Sequence, residues 1–205
     1  MFHGSLISAT FVLFIIALNK KLLERSESKM KYIFASDIHG SVDGLKKVIE
    51  IFNKEGADNL VLLGDTASSM DKSDNLEMAG LLNAMKEKVE LIRGNCDTLS
   101  FEDMLDFEMY DIDTLYINSN FVTITHGNGY NCYELPPNCG DIFIQGHTHV
   151  PMLEKRGEII IANPGSISRP RGVDLRCYIL LDEKRIVLKT LEQKEVKEIA
   201  ISNKL

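Results

Sequence analysis

Five apolar runs of this sequence end in side chains able to hold a divalent metal. KYIFAS (31–36) is followed by Asp37 and His39, NLVLLG (59–64) by Asp65 and VELIRG (89–94) by Asn95. FVTIT (121–125) is followed by His126, and DIFIQ (141–145) by Gly146-His147-Thr148-His149. Carboxylate, amide and imidazole donors without a thiolate suit Mn, Fe, Zn or Ni, and the donor set alone does not choose among them. In an extended segment residues i and i+2 share a face. The pairs Asp37/His39 and His147/His149 are therefore each expected to aim at one point, with Thr148 turned away. Singly these signals are weak: GD after a strand marks a turn, Asn caps one, and an isolated HxH reads as two surface imidazoles. Jointly they are not, because four of the five histidines fall in the set. Functional groups of α/β sheets gather beyond the carboxyl ends of strands, where all seven residues stand.

Such residues need elements to carry them. From Lys31 onward apolar runs alternate with helical patterns. GLKKVIEIFNKEG places Leu45, Val48, Ile49 and Phe52 at 3–4 spacing and stops at Gly56, which predicts an amphipathic helix. Ser73 to Lys88 predicts a second, with Leu76, Met78, Leu81, Leu82 and Met85 as its core stripe. Strand and helix in alternation imply a parallel sheet. The second half is strand-rich: LYINS, FVTIT and DIFIQ, then a hairpin in MLEKRGEIIIAN turning near Gly157 and another in CYILLDEKRIVLKTL turning at Asp182 to Lys184. EQKEVKE near the C-terminus reads as a solvated face.

The bulk properties bound the partners. A chain of 205 residues, 44% hydrophobic and 26% charged, suits one soluble domain with a substantial core. A net charge of -7 leaves no basic surplus for a nucleic-acid polymer, whereas a small anionic substrate stays open because a metal centre supplies positive charge locally. Cys96, Cys132, Cys139 and Cys177 form no CxxC pair, which points to reduced thiols and the cytoplasm. Residues 1–29 are a hydrophobic extension, uncharged up to Lys20, whose apolar stretch Leu6 to Leu18 is shorter than a typical span and lacks secretory-signal features. Two readings stand: an appendage or misassigned start ahead of Met30, and a membrane anchor with a cytoplasmic C-terminus.

In this order DxH, GD, GN, HG and GHxH resemble the motifs of the calcineurin-like metallophosphoesterase superfamily, and in particular its small bacterial and archaeal phosphodiesterase branch, the YfcE-like group. The resemblance spans about residues 30–190, including NPGSISRPR at 163–171. It implies an α/β fold over residues 30–205: a two-sheet β-sandwich flanked by helices, in four αββα layers. It implies two divalent ions, Mn first among the candidates. One would be held by Asp37, His39, Asp65 and His149, the other by Asp65, Asn95, His126 and His147, with Asp65 between them. The implied activity is hydrolysis of phosphate diesters by a hydroxide bridging the two metals, which needs no catalytic serine or cysteine. Asn95 and Arg171 are the implied substrate contacts, with Arg169, Arg93 and Arg176 as alternatives. The retromer complex contains a scaffold subunit similar to this fold with an impaired metal site, and a phosphomonoesterase could use the same centre. Every expected ligand position is filled here, which favours catalysis.

One departure matters. Many family members carry His directly after the metal-binding Asn, where it is taken to protonate the leaving group, but here Cys96 and Asp97 follow Asn95. A thiol of pKa about 8.5 is a poor proton donor near neutrality. Leaving-group protonation is therefore expected to be weak, and aryl diesters to be better substrates than alkyl phosphomonoesters. Cys96 itself reads as a packing residue.

Overall fold

The structure, a computed structural model, describes residues 30–67 and 72–201; the 1–29 extension lies outside them. Strands β1 (Tyr32–Ala35), β2 (Asn59–Leu62), β3 (Val89–Ile92) and β4 (Met109–Tyr110) run parallel and side by side. A second sheet holds β5 (Ile112–Ile117), β6 (Asn120–Thr125), β7 (Ile142–Ile144), β8 (Met152–Arg156) and β9 (Ile159–Asn163), in the order β5-β6-β7-β9-β8. Its three inner strands are parallel and its edges antiparallel. β10 (Cys177–Leu181), β11 (Arg185–Thr190) and β12 (Glu195–Ala200) return to the first sheet and extend it antiparallel from β1, making seven strands.

The period of two along each strand explains the layering. Ile33, Ala35, Leu60 and Leu62 face the helices, while Phe34, Val61 and Leu63 face the other sheet, where they meet Ile124, Ile142 and Ile144. Enclosing each such side chain stabilises the fold by about 1.5–3 kcal/mol. That packing sets the distance between the sheets. Asp37, Asp65 and Asn95 leave the first sheet, and His126, His147 and His149 leave the second, so the inter-sheet core also sets the spacing of the candidate ligands.

Helix α1 (Val42–Glu55) starts where the Ser41 hydroxyl accepts from the Gly44 N–H and ends at Gly56, whose φ of 60° is left-handed. Helix α2 (Lys72–Asn83) buries Asn75, Met78, Ala79 and Leu82. Leu76, assigned to the core stripe, is instead 65% exposed: it lies two residues from Met78, on the opposite side of the helix. The helix also ends at Asn83 and gives way to turns before Lys88. With the short α3 (Leu99–Glu102), both helices pack on one face of the first sheet. Among the described residues the outer face of the second sheet, at Phe143 and Ile161, is covered by the segment through Cys132 and Leu135. The layers are thus helices, sheet, sheet and an irregular outer segment.

Both expected hairpins form, at Gly157 and at Asp182 to Lys184. Residues read only as a solvated C-terminal face form β12, an exposed edge strand with a register shift opposite Leu188/Lys189. Its exposure was legible and its pairing was not, because an edge strand of charged residues carries no apolar alternation.

Candidate metal centre

All seven residues meet at the end of the sandwich where β1, β2, β3, β6 and β7 deliver their carboxyl ends. The route is not the extended i, i+2 geometry expected for the two pairs. Asp37, His39, Asp65, His147 and His149 have φ of 55°, 49°, 49°, 66° and 62°, all left-handed. The strands have already ended, and the chain curls so that both side chains and amides turn inward. Asp and His tolerate this region better than bulkier residues, though still at a cost. The curled loops brace one another: the His39 N–H donates to the Asp65 carbonyl (2.8 Å) and the His147 N–H to Asp37 Oδ2 (3.0 Å). The glycines of the GN and GHxH motifs are needed for the same contact. A Cβ on Gly94 would stand 2.1 Å from the Asp65 nitrogen, and one on Gly146 1.9 Å from Ser36 Oγ.

Three donors form a closed set. His149 Nε2 lies 3.1 Å from Asp37 Oδ1 and 3.1 Å from His39 Nε2, and His39 Nε2 lies 3.7 Å from Asp37 Oδ1. His149 Nδ1 donates to the Arg169 carbonyl (2.6 Å), so in the neutral ring Nε2 is a bare lone pair. Asp37 Oδ2 is occupied, accepting from Ser36 Oγ (2.6 Å) and from the His147 N–H. Its Oδ1 is buried and accepts no hydrogen bond. An anionic oxygen beside a bare nitrogen is repulsive, and an unsatisfied buried acceptor costs about 1–3 kcal/mol. A cation resolves both. Donors about 2.1 Å from one ion would lie about 3 Å apart at right angles and about 3.4 Å apart at tetrahedral angles, and the spacings found, 3.1, 3.1 and 3.7 Å, lie close to these values.

Four donors form a more open set. His126 Nε2 lies 3.2 Å from Asn95 Oδ1, 3.3 Å from His147 Nδ1 and 3.5 Å from Asp65 Oδ1. His126 Nδ1 donates to the Leu63 carbonyl (2.7 Å), which again leaves Nε2 facing inward. Asp65 joins the sets, with Oδ1 toward His126 and Oδ2 3.8 Å from His39. Asp37, His126, Asp65 and His149 are buried, His39 and His147 half-buried, and Asn95 exposed at the mouth.

Charge cuts across the two sets. Burial disfavours the Asp65 carboxylate, but His126 and the Cys96 N–H (2.7 Å) override it and hold its pKa well below the usual range. Burial likewise opposes a proton on His126, yet the Asp65 carboxylate raises its pKa. Burial lowers His39, against the pull of Asp65 and Asp37, and it lowers His147, with help from His126. Both shifts favour the neutral imidazole, the form that binds metal. The Cys96 thiol is pushed up to about 11 by burial and by the Asp65 carboxylate.

Several positioning residues lie outside the ligand motifs. Asp97 accepts from the Ala67 N–H (2.8 Å) and the Gly94 N–H (2.9 Å), tying the GD loop to the GN loop. Asn163 donates to the Gly146 carbonyl (2.7 Å) and to Thr148 Oγ1 (3.0 Å), and Ser166 Oγ donates to the Asp37 carbonyl (2.7 Å). NPGS is thus a brace under GHTH, with Gly165 at φ 75° making the turn. Polar residues flanking the ligand motifs were the available signal. Of the expected substrate contacts, Asn95 stands at the mouth, whereas exposed Arg171 meets the centre through its backbone, its N–H donating to the His149 carbonyl (3.1 Å).

A family model described as "Calcineurin-like phosphoesterase superfamily domain" matches residues 30–185. "Phosphodiesterase YfcE" of Escherichia coli K12 is 35% identical over 182 residues, 84% of this chain and 99% of that protein. "Phosphodiesterase MJ0936" of Methanocaldococcus jannaschii is 28% identical over 84% of this chain and 99% of its own. The solved structure of YfcE, a phosphoesterase from E. coli, superposes with a TM-score of 0.78 at 33% identity, covering 84% of this chain and all of that one. Vacuolar protein sorting 29 of Cryptosporidium parvum shares the fold, with a TM-score of 0.61 at 15% identity over 85% of this chain and 98% of its own.

Proposed function

The chain belongs to the calcineurin-like phosphoesterase superfamily, and on that premise we propose that it is a metal-dependent hydrolase of small phosphate diesters. The observation that carries the reading is the buried, unpartnered Asp37 Oδ1 beside two inward-facing imidazole nitrogens, with Asp65 turned toward both donor sets. We place one divalent ion in each set, manganese first. When bound, such ions neutralise phosphoryl charge and lower the pKa of coordinated water toward about 7. The chain supplies the rest. The carbonyls of Leu63 and Arg169 fix the tautomers of His126 and His149, Ser36 leaves Asp37 Oδ1 free, and the exposed Asn95 amide meets the substrate at the mouth.

Proton delivery is the weak step. A thiol of pKa about 11 gives up its proton reluctantly, so Cys96 does little for a basic leaving group. Diesters with acidic, aryl-type leaving groups are the preferred substrates on this reading. The scaffold alternative draws on fold likeness alone, whereas each of the seven positions holds a donor. Four free cysteines suit a reducing, cytoplasmic setting, and among the described residues no helix is long and apolar enough to cross a membrane. Hydrolysis of a series of aryl phosphodiesters, with manganese and with chelator, is the test. Turnover is expected to need the metal and to fall steeply as the leaving group becomes more basic; metal-independent turnover defeats the main reading, and a flat series defeats the account of Cys96.

A further inference from the structure

The phosphoester reading leaves open which cation of the chain meets the substrate, and the inference below rests on that reading. Four arginines compete. Arg93 is already neutralised, donating to both Glu102 oxygens (2.6 and 2.7 Å) and to Asp111 (3.3 Å). Among the described residues Arg176 has no backbone link to the centre: its carbonyl accepts from the Leu191 N–H where β10 begins and β11 ends (2.9 Å). Arg169 and Arg171 are both exposed, and among the described residues neither is ion-paired with a carboxylate.

Their attachments differ. The Arg169 carbonyl accepts from His149 Nδ1, and its N–H donates to Ser166 Oγ (2.8 Å), which itself donates to the Asp37 carbonyl. The backbone of Arg169 is thus bonded toward two residues of the closed donor set. Pro170 follows, and a residue before proline is steered away from helical backbone, so together with its two backbone hydrogen bonds the origin of the side chain is held. Arg171 has one backbone link to the centre and stands next to Gly172 in a stretch of exposed residues. A fixed origin with an uncommitted planar fork is what bidentate capture of a phosphate requires.

We propose that Arg169, within the NPGSISRPR segment, grips the non-bridging phosphoryl oxygens of the substrate on the His149 side of the centre and is the main cationic contact of this site. Calorimetric titration of inorganic phosphate into the manganese-loaded full chain tests this without turnover. Arg169→Ala is expected to weaken phosphate binding about tenfold, the low end for a hydrogen bond to a charged group, and by more than Arg171→Ala does. Arg169→Lys should recover part of the loss, with metal stoichiometry and Tm of both Arg169 variants as in the wild type. With an aryl diester, Arg169→Ala should raise KM more than it lowers kcat. Phosphate affinity within about twofold of wild type in Arg169→Ala, loss of metal in that variant, or a larger loss in Arg171→Ala would overturn the assignment. A wild type that binds manganese and phosphate yet hydrolyses no diester would defeat the phosphodiesterase reading and leave the Arg169 assignment standing.

Discussion

The two halves of the metal centre are built to different standards. In the closed half the side chains of Asp37, His39 and His149 are 0%, 8% and 5% exposed, and a buried carboxylate oxygen waits without a partner. In the open half the His126 and Asp65 side chains are just as enclosed, at 0% and 4% exposed, but Asn95 is exposed at the mouth and His147, like His39, is half-buried. A closed set of mutually repelling donors is preorganised for an ion and holds it tightly; an open set leaves room for a substrate oxygen to join the coordination. With an ion in each set, as proposed, the contrast predicts retention in one half and exchange in the other.

The largest expected effect belongs to the residue common to both. Asp65→Asn should lower kcat by roughly 10³-fold or more, since it withdraws charge from both sites, and metal analysis of the purified variant should show a deficit in both. Next come the two histidines of GHTH. His149→Ala should weaken the tighter manganese step by about 100-fold or more and His147→Ala the looser one, as resolved by two-step titration calorimetry. Equal effects on both steps would erase the contrast.

Acid sharpens it further. In the metal-free protein Asp65 raises the pKa of His126, so a proton and an ion compete for the same Nε2 lone pair, and manganese affinity of the open half should fall as pH drops below that pKa. The metal-free protein should do the opposite in stability. A histidine whose pKa is raised on folding contributes stability in full below its unfolded value of about 6.5 and loses it as pH rises through the folded value. The Tm of metal-free protein should therefore decline above about pH 6.5, where the opposite contributions of His39 and His147, both lowered, are already complete, while that of manganese-saturated protein rises.

The smallest effect is a control lying outside both donor sets. On β3 the Glu90 carboxyl is pushed up to about 7, by burial first and then by Asp113, and its Oε1 has no hydrogen-bond partner. A carboxyl raised on folding contributes its stability below the unfolded pKa of about 4.3 and loses it as pH climbs to about 7. Glu90→Gln should stabilise the fold at pH 8 by about 1 kcal/mol once solvent screening is allowed for, without altering manganese affinity. Denaturant melts at pH 5 and pH 8 read the difference directly.

Much of the centre was legible because each ligand sits beside a strand the sequence announces. YIFA, NLVL, VELI and IFI are buried apolar runs, and the polar residues that break them are the ligands. Where the apolar signal is absent, so was the reading. β12 is charged and exposed, while β4 and α3 are too short to carry a period. The contour of α1 was legible from Gly44 to Gly56, although the helix starts earlier, at Val42, but Leu76 on α2 could not be separated from its apolar neighbours without knowing which side met the sheet.

The sequence by itself determined which atoms the centre can use, because coordination chemistry depends on residue type and the motifs fix type and order. It also determined that the strands end where the ligands begin. Only the tertiary structure decided how the ligands converge. Left-handed backbone at five of them, glycine contacts too close for any Cβ, and braces from Asp97, Asn163 and Ser166 arise between segments far apart in the chain. The division between a closed and an open half likewise comes from how two sheets pack, since burial is a property of the neighbours a residue acquires and not of the residue.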